Sequence, residues 1–397
     1  MTLRNLDQIG QLADKRALVR VDFNVPMQDE RITDDTRLRA ALPTIRFISE
    51  RRAKVGLLAH FDRPKGKRVL SMSLGPLVDP LSALLEQPVV FANDCIGPDA
   101  KAAIDRLAAG GIVLFENVRY HAGEEANDPA FARDLAANGD VYVNDAFSAA
   151  HRAHASTEGI AHLLPAYAGL SLQRELEQLE RVLRKPRHPF MGIVGGSKIS
   201  SKIDLLKTLV TKLDRLALGG GLANTFLFAK GWNVGASYYE KQLAKVALEI
   251  EDLALAKRCE LLLPVDVIVA RDLEPDAPFF VRRIGEVEGG ERILDAGPET
   301  LARLRHAMEK SATLIWNGPI GVFETAPFDR GTVDIARTAA ELTRRGKLIS
   351  VAGGGDTVSA LNHAEIAADF TFVSTAGGAF LEWVGGATLP GVAVLLN

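Results

Sequence analysis

Cysteine is nearly absent from this 397-residue chain: only Cys95 and Cys259 occur, far apart and in no CxxC pair. That scarcity speaks against a disulfide framework and against a zinc site, and each thiol is expected to be a small buried apolar group. Long apolar runs are also missing. None approaches the ~20 residues that a membrane span needs, and the opening MTLRNLDQIG has no signal-peptide core, so a cytoplasmic location is expected. Charge of one sign is lacking too. The formal net charge is −3 and no basic block is read in the chain, so neither nucleic acid nor a membrane surface is an expected partner. No internal repeat or low-complexity tract is visible, and the GxxxxGK[ST] phosphate loop does not occur.

What is present is ordinary globular material, 47% hydrophobic and 24% charged. A chain this long outgrows one core, so two domains and a cleft are expected. In the first half, apolar runs at Ala17 to Val21, Val55 to Ala59, Val89 to Phe91, Ile112 to Phe115 and Val141 to Val143 alternate with helix-like stretches. That grammar predicts βαβ units and a parallel sheet. The second half repeats it at Phe190 to Val194, Leu216 to Leu218, Leu261 to Ala270, Thr313 to Trp316, Leu348 to Ala352 and Phe370 to Val373. The fold class is therefore α/β, with two doubly wound parallel-sheet, Rossmann-like domains facing a cleft. Between the halves Leu172, Leu176, Leu179 and Leu183 follow helical spacing up to Arg184-Lys185-Pro186, which predicts a linker helix stopped by proline.

Ligands in open α/β sheets bind outside the carboxyl ends of the strands. The runs of the first half break there into polar residues: Asp22-Phe23-Asn24, His60 to Arg63, Asn93-Asp94, Glu116 to Arg119 and Asn144-Asp145. Arg37, Arg63, Arg119 and Arg152 fall near these tips beside His60, His121, His151 and His154. One such arginine is usually just solvated. Four at the tips of one sheet suit a small, multiply charged anion, because guanidinium matches phosphate and carboxylate bidentately. In the second half the tips are glycines: Gly195-Gly196, Gly219 to Gly221, Gly318, Gly353 to Gly355 and Gly377-Gly378. Gly195 to Lys202 is expected to follow a strand and open a helix, with Lys198 and Lys202 one turn apart and an anion between them. Two solvated lysines on a surface helix are the plain alternative. Gly353-Gly354-Gly355-Asp356-Thr357 reads as a second phosphate cradle in which Asp356 either holds Mg²⁺ or merely caps the helix.

Taken in order, these segments closely resemble the phosphoglycerate kinase family. The likeness runs through Val19 to Pro26 (VRVDFNVP), Glu116 to Glu125 (ENVRYHAGEE), His151 to His154 (HRAH), Gly195 to Ile203, Gly219 to Gly221, Trp316 to Glu324 (WNGPIGVFE) and Gly353 to Thr357. The resemblance implies reversible phosphoryl transfer between 1,3-bisphosphoglycerate and Mg-ADP. By it, Asp22, Asn24, Arg37, His60, Arg63, Arg119 and Arg152 would bind 3-phosphoglycerate or its acyl phosphate. Lys198, Lys202, Gly220, Gly221, Asn317, Glu324, Gly353, Gly354, Gly355, Asp356 and Thr357 would bind the nucleotide, with Glu324 on the ribose and Asp356 on Mg²⁺. Lys198 and Arg37 would be catalytic. The implied layout is an acceptor domain over 1–170 with the tail 384–397 packed back on it, a hinge helix over 171–186, and a nucleotide domain over 187–383, in a monomer. Two positions depart from the family pattern: Asp62 and Ala376 stand where glycine is usual.

Transfer to a carboxylate needs no general base, because that nucleophile is already ionised at neutral pH. Two other readings are weighed. A nicotinamide-dependent dehydrogenase expects GxGxxG after an early strand, where this chain has Asp22-Phe23-Asn24. A hinge-type binding protein for an anionic metabolite would need the arginines but neither Asp356 nor the two lysines.

Overall fold

The computed structural model describes residues 3–28, 31–183, 185–374 and 376–396. The chain divides into two compact units, one of Met1–Glu177 with Thr388–Asn397 and one of Gln178–Ala387. The dividing point falls inside a helix, Leu170–Leu183. The linker helix is expected to run to its stop at Pro186; the helix ends at Leu183, Arg184 lies outside the described residues, and Lys185 and Pro186 are not helical. The chain's tail joins the first unit from Thr388 rather than from 384, because the helix Gly377–Val384 packs within the second unit.

The first unit is built on strands β1 (Arg16–Arg20), β4 (Lys54–Leu58), β5 (Val89–Ala92), β6 (Ile112–Phe115), β7 (Val141–Asn144) and β8 (Ala166–Ala168), while β2 (Met27–Gln28) and β3 (Arg31–Ile32) make a small separate hairpin. The sheet order is β5-β6-β4-β1-β7-β8 and every pairing is parallel. Strands β6 and β7 are buried along their whole length, as strands covered on both faces must be, which explains their unbroken apolar runs. Val19, Leu57, Leu114 and Val143 meet Leu38 and Ile45 of the helix Thr36–Glu50 in one core. A parallel sheet puts all its carboxyl ends on one edge, so the tips of β1, β4, β6 and β7 share that edge.

The β7 tip is used structurally. Asn144 Nδ2 donates to Gly391 O of the returning tail at 3.1 Å. Asp145 Oδ1 accepts the Ser171 and Leu172 N–H groups at 2.8 and 3.2 Å, satisfying free donors at the start of the helix Leu170–Leu183. Burial pushes the Asp145 carboxyl up to about 7.

The second unit holds β9 (Phe190–Val194), β10 (Arg215–Leu218), β11 (Glu260–Leu262), β15 (Thr313–Asn317), β16 (Ile349–Gly353) and β17 (Phe372–Ser374), in the parallel order β11-β10-β9-β15-β16-β17. Trp316 is fully buried at its centre, and its indole N–H donates to Gly318 O at 2.7 Å. One expectation fails here. Leu261 to Ala270 is two strands: Pro264, which cannot donate to a ladder, lies between β11 and β12 (Asp266–Ala270). Strand β12 belongs to a separate antiparallel sheet, β13-β12-β14, with β13 (Phe279–Arg283) and β14 (Arg292–Ala296). That sheet was not anticipated, because the exposed β13 carries no alternation of apolar and polar residues.

Candidate active site

The strand-tip edge of the first unit where the arginines are expected to gather centres on a residue outside the expected set. Arg20, the last residue of β1, is fully buried. Its Nε donates to Ser156 Oγ at 2.8 Å, Nη1 to Val21 O at 2.5 Å and Nη2 to His60 Nδ1 at 2.9 Å. Ser156 in turn donates from Oγ and N to Glu124 at 2.6 and 2.9 Å. Arg20, Ser156 and Glu124 thus form a satisfied buried chain, as a charge removed from water requires. The signal was in the sequence: a charged residue inside an apolar strand is seldom buried without a reason.

Around this chain the expected acceptor residues gather. Arg37 Nη1 donates to Asn24 O at 2.7 Å and pairs with Asp22 at 3.2 Å; Asp22 also accepts from Ser148 Oγ at 2.5 Å. Asn24 Oδ1 accepts the Asp62 N–H at 2.9 Å, and Arg119 Nη1 donates to Asp62 O at 2.9 Å. Asp62 keeps the turn that glycine would make, at φ +53°, a conformation aspartate adopts more readily than most residues. Arg63 and Arg152 are exposed and pair with no acidic group among the described residues. The sequence reading needs one amendment on charge: Arg63, Lys65, Lys67 and Arg68 make a short basic segment, all exposed. His121 stands apart from the arginines, its Nε2 2.8 Å from Asp94 Oδ1.

The field at this edge is positive. Burial, reinforced by Arg20, Arg119 and Arg37, holds the His60 imidazole well below its ordinary value. His154 is pushed down to about 4 by burial and then by Arg119, Arg20 and Arg152. Both imidazoles are therefore neutral at pH 7, and the positive charge is carried by guanidinium. Even Arg119 is held lower, by burial first and then by Arg20. Cations crowded this closely repel one another, which an anion placed among them relieves.

In the second unit the tips of β9, β10, β15 and β16 meet. A Cβ on Gly195 would stand 1.9 Å from Pro319 O, and one on Gly219 would stand 2.6 Å from Ile320 Cα; glycine is there for close packing. The helices Gly220–Ala229 and Gly355–His363 start after Gly219 and Gly354, and neither start has a side-chain cap. At the first, the Gly220 N–H donates to Ile320 O and the Leu222 N–H to Gly196 O, both at 3.0 Å, so it is the Gly355 start that presents its first N–H groups outward. Gly354 needs its φ of +103°. Beside these starts lies a cavity of about 660 Å³ whose walls include Gly196, Gly220, Gly221, Tyr238, Leu294, Val322, Glu324 and Asp356. It offers backbone at one end, an apolar wall, and two carboxylates, within the size range of small-molecule sites.

Several expected nucleotide residues turn out to be internal. Asn317 Nδ2 donates to Gly353 O at 2.7 Å while its Oδ1 accepts from Lys202 Nζ at 2.6 Å. Thr357 Oγ1 accepts the Gly318 N–H at 2.7 Å and donates to Gly353 O at 2.9 Å. Gly353 is buried against Phe380. These groups lock the strand tips together. Gly355, Glu324 and Asp356 are exposed. Asp356 lies in the first turn, and the cap position is Gly354, so the capping alternative for Asp356 does not hold.

The paired-lysine geometry is also corrected. Residues 198–202 form turns, and the helix begins only at Ile203. Ser200 N donates to Glu240 Oε2 at 2.9 Å and Ser201 Oγ to Lys198 O at 3.2 Å, so local polar groups take the bonds that a helical turn would use. Lys198 is exposed. Lys202 turns inward, donating to Gly195 O at 2.6 Å as well as to Asn317. Burial brings its ammonium down to about 8, with Asp356 opposing. Ala376 has φ −91°, so no strain arises where glycine is usual.

Arginines gathered at the tips of one parallel sheet and a cavity of about 660 Å³ beside helix starts on another suit an α/β phosphotransferase of the kinase class, and the comparisons with known proteins show that class. A family model described as phosphoglycerate kinase matches residues 6–387. The phosphoglycerate kinase of Caulobacter vibrioides strain NA1000 is 64% identical over 395 residues, covering 100% of both chains, and that of Rhizorhabdus wittichii is 55% identical with the same coverage. Among solved structures, phosphoglycerate kinase from Coxiella burnetii matches with TM-score 0.87 at 41% identity over 99% of each chain. The one from Pyrococcus horikoshii OT3 matches at 0.84 and 29%, over 99% of this chain and 98% of that one. The chain belongs to the phosphoglycerate kinase family. The dehydrogenase and binding-protein readings fall with that membership.

Proposed function

We propose that this chain transfers a phosphoryl group reversibly between 1,3-bisphosphoglycerate and Mg-ADP, with the acceptor read by the first unit and the nucleotide by the second. The observation that carries the acceptor half is the cluster of guanidinium groups at these strand tips, beside His60 and His154, which burial first and these charges second keep uncharged. In this reading Arg37, Arg63, Arg119 and Arg152 bind the carboxylate and phosphate of 3-phosphoglycerate. Asp22 and Asn24 orient Arg37 and the Asp62 turn, and His60 accepts from Arg20 so that the buried guanidinium stays fixed.

On the nucleotide side, the N–H groups following Gly354 take phosphate oxygens at the start of the helix Gly355–His363. Gly220, Gly221 and Gly355 allow the approach, Glu324 accepts from the ribose hydroxyls, and Tyr238 and Leu294 face the base. Asn317, Thr357 and Gly353 hold the tips in register, and Lys202 braces them while adding positive charge. Asp356, exposed at the cavity and in the field of Lys202, fits a metal that keeps several waters and takes one carboxylate plus substrate phosphates. When bound with the nucleotide, Mg²⁺ neutralises phosphate charge.

In the ATP-consuming direction a carboxylate oxygen of 3-phosphoglycerate attacks the γ-phosphorus. The bond from that phosphorus to the bridging oxygen breaks, and ADP leaves with the electron pair; no proton moves. The chain's work is positioning and electrostatic stabilisation, and in this reading Lys198 and Arg37 are the residues that stabilise charge on the transferring oxygens. A monomer in the cytosol is the proposed working form; the two free cysteines, Cys95 and Cys259, fit a reducing compartment. A coupled assay with 3-phosphoglycerate, ATP and Mg²⁺ tests the reading: turnover should need all three, and ATP hydrolysis without acceptor would refute it.

A further inference from the structure

We propose that Asp94, Cys95 and His121 form a binding site for a borderline-soft divalent cation of the zinc type, beyond the phosphoryl-transfer machinery. Cysteine spacing alone argued against a zinc site, but spacing could not show what the sheet brings together. Strands β5 and β6 are neighbours. Asp94 and Cys95 follow β5, and His121 follows the turn Val118–Tyr120 after β6. One available ligand atom from each of the three residues lies within 4.8 Å of the other two.

The carboxylate and the imidazole are already oriented. Asp94 Oδ1 accepts the Cys95 and Ile96 N–H groups at 2.6 and 3.3 Å, which aims the carboxylate. The His121 ring stacks on Phe131 with centroids 5.0 Å apart, and its Nε2 meets Asp94 Oδ1 at 2.8 Å. Cys95 is fully buried beneath them, while the Asp94 and His121 side chains are 39% and 29% exposed, so a cation can enter from solvent. Thiolate, imidazole and carboxylate together suit zinc-type ions and not Mg²⁺, which takes oxygen ligands. Three protein ligands leave a fourth position for water. On binding, the thiol proton passes to solvent and His121 presents the Nε2 lone pair to the metal, so affinity rises with pH; nothing is oxidised or reduced.

Cobalt(II) titration of the full chelator-treated chain tests this. A one-to-one complex should show a near-ultraviolet thiolate-to-cobalt charge-transfer band with visible d–d bands. Zinc should displace it and Mg²⁺ should not. Cys95→Ser should abolish the near-ultraviolet band, and Cys259→Ser, at the only other thiol, should keep it. His121→Ala, at a partly exposed position, should weaken cobalt binding by at least about ten-fold, the lower bound for loss of even an outer partner. This last variant keeps the test open should Cys95→Ser fail to fold. The proposal is overturned by the absence of a charge-transfer band in the unaltered chain, by a band that survives Cys95→Ser, or by unchanged affinity in His121→Ala.

Discussion

The two units carry the same kind of parallel sheet, yet their tips are furnished by opposite means, and on the proposed function each addresses an anion in its own way. The first uses side-chain charge: buried Arg20 held by Ser156 and His60, with Arg37 and Arg119 fixed to backbone carbonyls. The second uses backbone, with glycines packed to contact and the start of the helix Gly355–His363 without a side-chain cap. Charge on long side chains suits a compact acceptor with two anionic ends, since guanidinium forks can converge on it from several strands. Backbone N–H groups suit a polyphosphate chain, because they give directional donors with no rotamers to freeze. The cost differs accordingly. The first unit must keep buried charges compensated, and the second must keep glycine where any Cβ would collide.

The largest effect should come from breaking the first device at its root. Arg20→Met leaves Glu124 buried without its cation, so unfolding free energy should fall by about 3–5 kcal/mol. Adding Glu124→Gln should recover part of that loss in urea denaturation. An unchanged midpoint in the single variant would show that the buried chain carries no compensated charge.

A change at the rim should separate the ligands. For Arg37→Ala the 3-phosphoglycerate KM should rise roughly 10- to 150-fold, the equivalent of about 1.5–3 kcal/mol for a lost bond to a charged group, with the nucleotide Kd unmoved. Equal effects on both ligands would dissolve the comparison.

The counterpart in the second unit is Gly354→Ala. The new Cβ would stand 2.4 Å from Asn317 Nδ2 at a backbone φ of +103°, a strain of about 1–3 kcal/mol. Nucleotide KM should rise by about ten-fold while the 3-phosphoglycerate KM holds. Steady-state kinetics with each substrate varied in turn reads both.

The smallest effect concerns Lys202, whose ammonium burial brings to about 8. The folded chain sheds this proton before the unfolded one, whose lysine titrates near 10.4. Between those values the unfolded state binds more protons, so this group's contribution to stability rises with pH from about 8 and levels off above 10.4. For ligand binding the sign reverses: bound phosphate favours the charged form, so nucleotide binding near pH 8.5 should take up a fraction of a proton. Calorimetry in buffers of different ionisation enthalpy would detect that uptake, and Lys202→Met should remove it.

Much of this was legible in the residues. Buried strands such as Ile112–Phe115 and Phe190–Val194 stand out because parallel strands are apolar on both faces. Their polar ends marked the tips, and glycine runs marked the second set of tips. What stayed hidden was set by tertiary partners. Nothing local says that Ser200 and Ser201 will satisfy their neighbours through Glu240 and Lys198, which keeps 198–202 out of the helix. Nor does any local signal say that Asp145 will start the linker helix, or that Asn317 will spend both ends of its amide on strand tips. The antiparallel sheet was missed because an exposed Phe279–Arg283 has no buried face to impose a period of two.

The division of labour between the units is tested most directly by hydrogen exchange read by mass spectrometry, with one ligand added at a time. 3-Phosphoglycerate alone should slow exchange around Asp22–Asn24, His60–Arg63 and Val118–Arg119 and leave the second unit unchanged. Mg-ADP alone should protect Gly195–Lys202, Gly219–Gly221 and Gly354–Thr357 and leave the first unit unchanged. Protection by either ligand at the other's tips, with none at its own, would contradict the account.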